Sequence, residues 1–173
     1  MKSSVFIATS LDGFIARPDG ALDWLPKDPE PHGYDEFIAT VDAIIMGRKT
    51  FEIVLGFGTW PFGVKPVIGL SSKPSELKAP DGAVFEAMSG TPHEVVERLA
   101  ERGLKHLYID GGVTIQRFLE AGLIRHMTIT RIPVLLGNGI PLFGPLSRDI
   151  RLEHVATRSY PSGIVQSEYV IAS

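Results

Sequence analysis

The chain contains no cysteine. That absence excludes disulfides, thiolate catalysis and cysteine-ligated zinc or iron–sulfur centres. It also lacks any apolar run near the ~20 residues that a membrane helix needs. Met1-Lys2-Ser3-Ser4 passes directly into Val5-Phe6-Ile7-Ala8. That apolar stretch is too short for a signal-peptide core and has no cleavage pattern, so a soluble cytoplasmic protein is the expectation. Positive charge is not in excess: 17 Lys+Arg against 20 Asp+Glu give a net charge of −3. Nucleic-acid binders normally carry a basic stripe, so none is expected as a partner. The five histidines are scattered without metal-ligand spacing, and there is no Gly-x-Ser-x-Gly elbow. Metal hydrolysis and a serine triad are therefore not expected.

What is present is a globular composition, 44% hydrophobic and 21% charged over 173 residues. It suits one folding unit covering residues 1–173. Short apolar runs at Val5–Ala8, Ala43–Met46, Val67–Leu70, Ala83–Ala87 and Leu107–Ile109 predict strands. Several are apolar on both faces, as central strands covered by helices are. Helical periodicity separates them. Tyr34 to Val41 places Tyr34, Phe37, Ile38 and Val41 on one face. Thr91-Pro92-His93-Glu94 is a capping box with proline at the first helical position, and Gly103 ends that helix. Thr114 to Ala121 predicts another helix, ended by Gly122. The last third reads as longer strands, Met127–Leu136, Arg151–Tyr160 and Ile164–Ile171, with Pro161-Ser162-Gly163 as a turn. The layout predicts an α/β fold with a mixed sheet, helices on its faces and a C-terminal antiparallel ribbon.

Three loops after strands suit phosphate. Gly47-Arg48-Lys49-Thr50 opens a helix with two cations and a hydroxyl, where unpaired N–H groups and the dipole favour an anion. Ser71-Ser72-Lys73 adds hydroxyls and a cation, although taken alone an ordinary polar turn before Pro74 explains it better. Asp110-Gly111-Gly112 precedes a helix, and paired glycines allow close backbone approach to a bulky anion. An extended dinucleotide would use all three. Gly137-Asn138-Gly139-Ile140-Pro141 lacks the full glycine fingerprint and predicts a turn that re-aims the chain.

Ser10-Leu11-Asp12-Gly13-Phe14-Ile15-Ala16, Trp24 and Asp42-Ala43-Ile44-Ile45-Met46-Gly47-Arg48-Lys49-Thr50 resemble the dihydrofolate reductase superfamily. With Asp110-Gly111-Gly112, Gly122-Leu123-Ile124 and Pro133 to Phe143, the chain is most similar to the C-terminal reductase domain of the bifunctional riboflavin-biosynthesis deaminase/reductase. The resemblance implies a three-layer fold and NADPH as hydride donor. It places the nicotinamide near Ala8 and the Ser10–Ala16 segment. Arg48, Lys49, Ser72 and Lys73 match positions around the 2′-phosphate, with Ser71 beside them. Thr50, Gly111 and Gly112 match diphosphate contacts, with Gly47, Val113 and Thr114 adjoining. The resemblance also implies a homodimer packed through the C-terminal strands and the Pro133–Phe143 loop.

Hydride transfer needs a held cofactor, excluded water and a proton. Asp12, Asp35, Glu36 and Asp110 are the candidate proton sources, although Asp12 could simply shape a turn and Asp35 and Glu36 could simply favour a helix dipole. Trp24 and Phe37 are candidate substrate contacts. The family's acidic pair beyond Thr50 is missing from Glu52–Gly58, and Arg125-His126 replaces the acidic pair after Gly-Leu-Ile. Neither Asp35 nor Glu36 has the spacing of the pterin-orienting acid. The activity expected is NADPH-dependent reduction of a small heterocyclic or ribosyl substrate, most like 5-amino-6-(5-phosphoribosylamino)uracil. Dihydrofolate reduction and an NADPH-binding module without turnover are the alternatives.

Overall fold

The structure is a computed structural model that describes residues 1–173. Its elements are β1 (Lys2–Ser10), β2 (Phe14–Ala16), α1 (Tyr34–Thr40), β3 (Ala43–Gly47), α2 (Arg48–Leu55), β4 (Val67–Leu70), a 3-10 turn (Pro74–Glu76), β5 (Phe85–Met88), α3 (Pro92–Glu101), β6 (His106–Asp110), α4 (Gly112–Glu120), β7 (His126–Ile132), β8 (Ile140–Pro141), β9 (Leu152–Ser159) and β10 (Val165–Ile171). Eight strands form one sheet in the order β5-β4-β3-β6-β1-β7-β10-β9. The first six in that order run parallel; β10 pairs antiparallel with β7, and β9 antiparallel with β10.

The apolar runs follow from burial on both faces. In β3, Ile45 packs into one core with α3 and α4 through Val95, Leu99, Ile115 and Phe118. Its neighbours Ile44 and Met46 point the other way, into a second core with Phe51 and Val54 of α2. All three β3 side chains are fully buried. The layers are thus α1 and α2, the sheet, then α3 and α4. The C-terminal hairpin has no such double cover, and β9 is exposed along nearly its whole length.

Local signals explain most boundaries. Thr91 accepts from Glu94 N and Glu94 reaches back to Thr91 N, the expected capping box of α3. β7 stops at Ile132 rather than continuing to Leu136. Pro133 has no N–H to continue a ladder, and Val134 N donates to Ile132 O at 2.8 Å as the chain turns. α4 begins at Gly112, two residues earlier than the apolar pattern predicts. The short β2–β8 pairing has no counterpart in the sequence reading; the turn at Gly137–Gly139 re-aims the chain so that Ile140 and Pro141 meet Ala16 and Phe14.

Candidate active site

β6 enters the sheet between β1 and β3, so chain direction along the sheet reverses there. Connections leave on opposite faces at such a point and a crevice opens at the strand carboxyl ends. A cleft of about 620 Å³ lies there. Ala8 of β1, Gly47 of β3, Leu70 of β4 and Asp110 of β6 reach it from the sheet. The first turns of α2 (Arg48, Lys49, Thr50) and α4 (Gly112, Val113, Thr114) form its walls, with Arg117 beyond. Ile15, Leu22, Leu25, Tyr34, Phe57, Phe62 and Ile140 make the remainder largely apolar.

The two helices that open onto the cleft differ from the one that does not. α3 carries a side-chain cap, whereas α2 and α4 begin at Gly47 and Gly111 with no capping side chain and no acid in the first turn. Their leading N–H groups and dipole ends are left for an anion. Lys49, in the first turn of α2, and Arg117, in the last turn of α4, also line the cleft and lie outside the chain's salt bridges. The glycines are set by packing within the protein. A side chain on Gly47 would come 2.7 Å from Thr114 Oγ1, and one on Gly112 would come 2.7 Å from the Pro141 carbonyl oxygen. Gly111 sits at φ +95°, facing Thr50.

Asp110 is the one acid on the cleft. Burial pushes its pKa up to about 6, against the pull of the Gly111 N–H. Tyr34 lies nearby on the same cleft; burial first, then the charge of Asp110, raises it to about 12. Burial also raises Tyr108 well above the usual phenol range, and its hydroxyl donates to Phe6 O at 2.8 Å. A carboxyl that holds its proton to near neutrality can donate it to a bound molecule.

Of the residues singled out in the sequence, the cleft gathers Ala8, Gly47, Arg48, Lys49, Thr50, Asp110, Gly111, Gly112, Val113 and Thr114. Others lie elsewhere. Asp12 is a brace: its carboxylate accepts from Ser10 Oγ at 2.6 Å, Leu136 N at 3.1 Å and Gly137 N at 2.8 Å. Those bonds hold it below the usual carboxylate range and leave it off the cleft. Asp35 is exposed in the first turn of α1 and lines no part of the cleft. Phe37 stacks on Phe6 at 5.1 Å and edges onto Tyr108 at 5.0 Å. With Glu36 it faces a separate cavity of about 590 Å³ beside His106 and His126. Periodicity showed an apolar face on α1 but not which neighbour it meets. Ser71 Oγ accepts from Lys73 N in an ordinary turn, and Ser71, Ser72 and Lys73 stay outside the cleft. Trp24 is half-buried in the loop whose Leu22 and Leu25 line the cleft, but does not line it itself.

Sequence reasoning missed Tyr34, Phe57 and Phe62 as cleft residues. Phe57 and Phe62 had a signal: the stretch Gly56-Phe57-Gly58-Thr59-Trp60-Pro61-Phe62-Gly63 puts aromatics on a glycine-rich loop directly after α2.

This arrangement is that of a dihydrofolate reductase-like α/β protein. The RibD C-terminal domain family matches residues 64–166, and the chain belongs to that family. Among solved structures, a Shewanella sp. PV-4 protein whose name ties it to riboflavin biosynthesis is 39% identical, with a TM-score of 0.89 over 100% of both chains. The deaminase/5-amino-6-(5-phosphoribosylamino)uracil reductase of Thermotoga maritima is 17% identical, with a TM-score of 0.76 over 99% of this chain and 56% of that one. Dihydrofolate reductase from Enterococcus faecalis, complexed with NADP(H), is 18% identical, with a TM-score of 0.69 over 99% of this chain and 97% of that one. No helix of the chain is long and apolar enough to cross a membrane.

Proposed function

We propose that the protein is an NADPH-dependent reductase that passes a hydride to a small heterocyclic or ribosyl substrate, most like 5-amino-6-(5-phosphoribosylamino)uracil. The observation that carries this reading is the pair of uncapped helix starts, α2 and α4, converging on one cleft with Asp110 at its floor. Family membership supports the reductase class.

The donor set fits a dinucleotide. The N-terminal N–H groups of α2 and α4 would hold the diphosphate, with Thr50 and the Gly111-Gly112 turn beside it. Arg48 and Lys49 stand where the 2′-phosphate would bind, and Ala8 where the nicotinamide would lie. When bound, the cofactor supplies the hydride. The chain's own part is positioning, dryness and a proton. Tyr34, Phe57, Phe62 and Leu25 give the cleft apolar walls that would keep water from a bound substrate. Asp110 holds a proton on its carboxyl to about pH 6 and is the proposed donor. Nothing on α1 fills the role of a pterin-orienting acid, because Asp35 and Glu36 lie off the cleft. That favours the pyrimidine over dihydrofolate. The partners are a small molecule and a second copy of the chain.

NADPH consumption measured with the ribosylaminopyrimidine substrate and with dihydrofolate tests the reading. Turnover of the pyrimidine alone is expected. Tight NADPH binding with turnover of neither would instead favour a binding module.

A further inference from the structure

Arg48 is already paired. Its Nε meets Glu52 Oε1 at 3.0 Å, one turn along α2, and its Nη1 meets Glu76 Oε2 at 2.9 Å, from the 3-10 turn after β4. The other oxygen of Glu76 lies 3.9 Å from Lys73 Nζ. The Glu76 carboxylate thus sits between a guanidinium and an ammonium, one oxygen toward each. A phosphate monoester would seek that same position, since charge-assisted pairing is strongest to such cations. We infer that Glu76 is the specificity-determining residue for the cofactor's adenosine end: an internal carboxylate that holds the 2′-phosphate position and that the phosphate must displace.

This inference rests on the dinucleotide reading of the cleft and sharpens it. Arg48 lines the cleft, so the contested position adjoins it. The Glu76 side chain is 45% exposed, and an exposed pair exchanges partners readily. Charge sets the direction. Arg48 and Lys73 are matched by Glu52 and Glu76, so of the cations around that position only Lys49 stands outside a salt bridge. Glu52 keeps Nε occupied, whereas release of Glu76 frees Nη1 and Lys73 together. A ribose bearing a free 2′-hydroxyl meets no such conflict, because the hydroxyl can donate to the Glu76 carboxylate as it stands. Glu76 therefore lowers the affinity for 2′-phosphorylated nucleotides and leaves that for unphosphorylated ones unchanged.

The test is binding by titration calorimetry to the full chain, unaltered and Glu76→Gln. The probes are NADPH, NADH, and the half-molecules adenosine 2′,5′-bisphosphate and adenosine 5′-monophosphate. Glu76→Gln should tighten NADPH and the bisphosphate about five- to tenfold, the scale of one like charge removed at a partly solvated site. NADH and the monophosphate should change less than about twofold. In an Arg48→Gln background the same substitution should lose most of its effect, because the two residues act through one contact. An unchanged NADPH-to-NADH ratio in Glu76→Gln overturns the inference alone. Equal weakening of both cofactors also overturns it, showing Glu76 to be a brace for Arg48. Failure of the unaltered protein to bind either dinucleotide overturns the dinucleotide reading itself, and the inference with it.

Discussion

Thr50 Oγ1 lies in the space that a side chain on Gly111 would occupy. The relation is reciprocal: Thr114 Oγ1 lies where a side chain on Gly47 would go. Gly47 is the N-cap of α2 and Gly111 the N-cap of α4. Each helix thus places a first-turn threonine against the cap glycine of the other. The two anion-suited ends are locked together through contacts across the sheet end.

Gly47→Ala tests the lock. Gly47 has φ −78°, which alanine adopts without strain, so any cost is steric. The added methyl would stand 2.7 Å from Thr114 Oγ1. A loss of about 1–3 kcal/mol is expected, as for overpacking elsewhere. Thr114→Ala in the same chain should recover most of it. Urea denaturation of the two single variants and the double variant measures the coupling. Strict additivity would show that the contact is not shared.

Asp110→Asn should raise stability at neutral pH. The folded pKa of about 6 exceeds the ordinary aspartate value of 3.8, so the folded state favours the protonated acid. That contribution is fully present below about pH 4 and is lost as pH rises through about 6. About two pKa units at about 1.4 kcal/mol each bound the neutral-pH penalty near 3 kcal/mol, and the half-buried site argues for less. The variant should therefore unfold later than the unaltered chain at pH 7.5 and at the same point near pH 3.5. Equal midpoints at both pH values would show that Asp110 is not desolvated. Turnover should fall in the variant, and in the unaltered enzyme it should decline as pH rises above about 6.

Asp12→Ala separates a brace from a catalyst. Asp12 ties the β1–β2 turn to Leu136 and Gly137 through two hydrogen bonds, and accepts a third from Ser10 Oγ within the turn. The substitution should lower the melting temperature and leave dinucleotide affinity intact. Unchanged melting with abolished turnover would restore Asp12 to the chemistry.

That role was invisible in the sequence, where 124 residues separate Asp12 from Leu136. The pairing of Arg48 with Glu76, 28 residues on, was equally hidden. Local rules reach what neighbours decide. The α3 capping box is written in Thr91–Glu94, and the double-sided burial of β3 in its unbroken apolar run. The position of Asp110 on the cleft followed from its place at the end of a strand ahead of two glycines. Phe37 and Asp35 failed the same logic, because a helical pattern gives a face without giving its partner. Long-range pairing decided each of those cases, and it leaves no local pattern.

The last prediction concerns assembly. β9 is the outer strand of the sheet, so one edge of Leu152–Ser159 has no neighbour. Leu152, Val155 and Val165 are exposed on this hairpin, and Leu135, Phe143 and Leu146 are exposed on the connection that precedes it. Soluble proteins cover or blunt such an edge. A second copy related by a two-fold axis would cover it, since that symmetry presents the same patch from both subunits. The chain weighs 18.9 kDa, so the dimer should scatter light as about twice that mass at micromolar concentration. Val155→Asp, which puts a charge on the outer strand without touching the cleft, should return the mass to that of one chain and leave dinucleotide affinity unchanged. A single-chain mass for the unaltered protein would rule the dimer out. A dimer that survives Val155→Asp would move the interface away from β9.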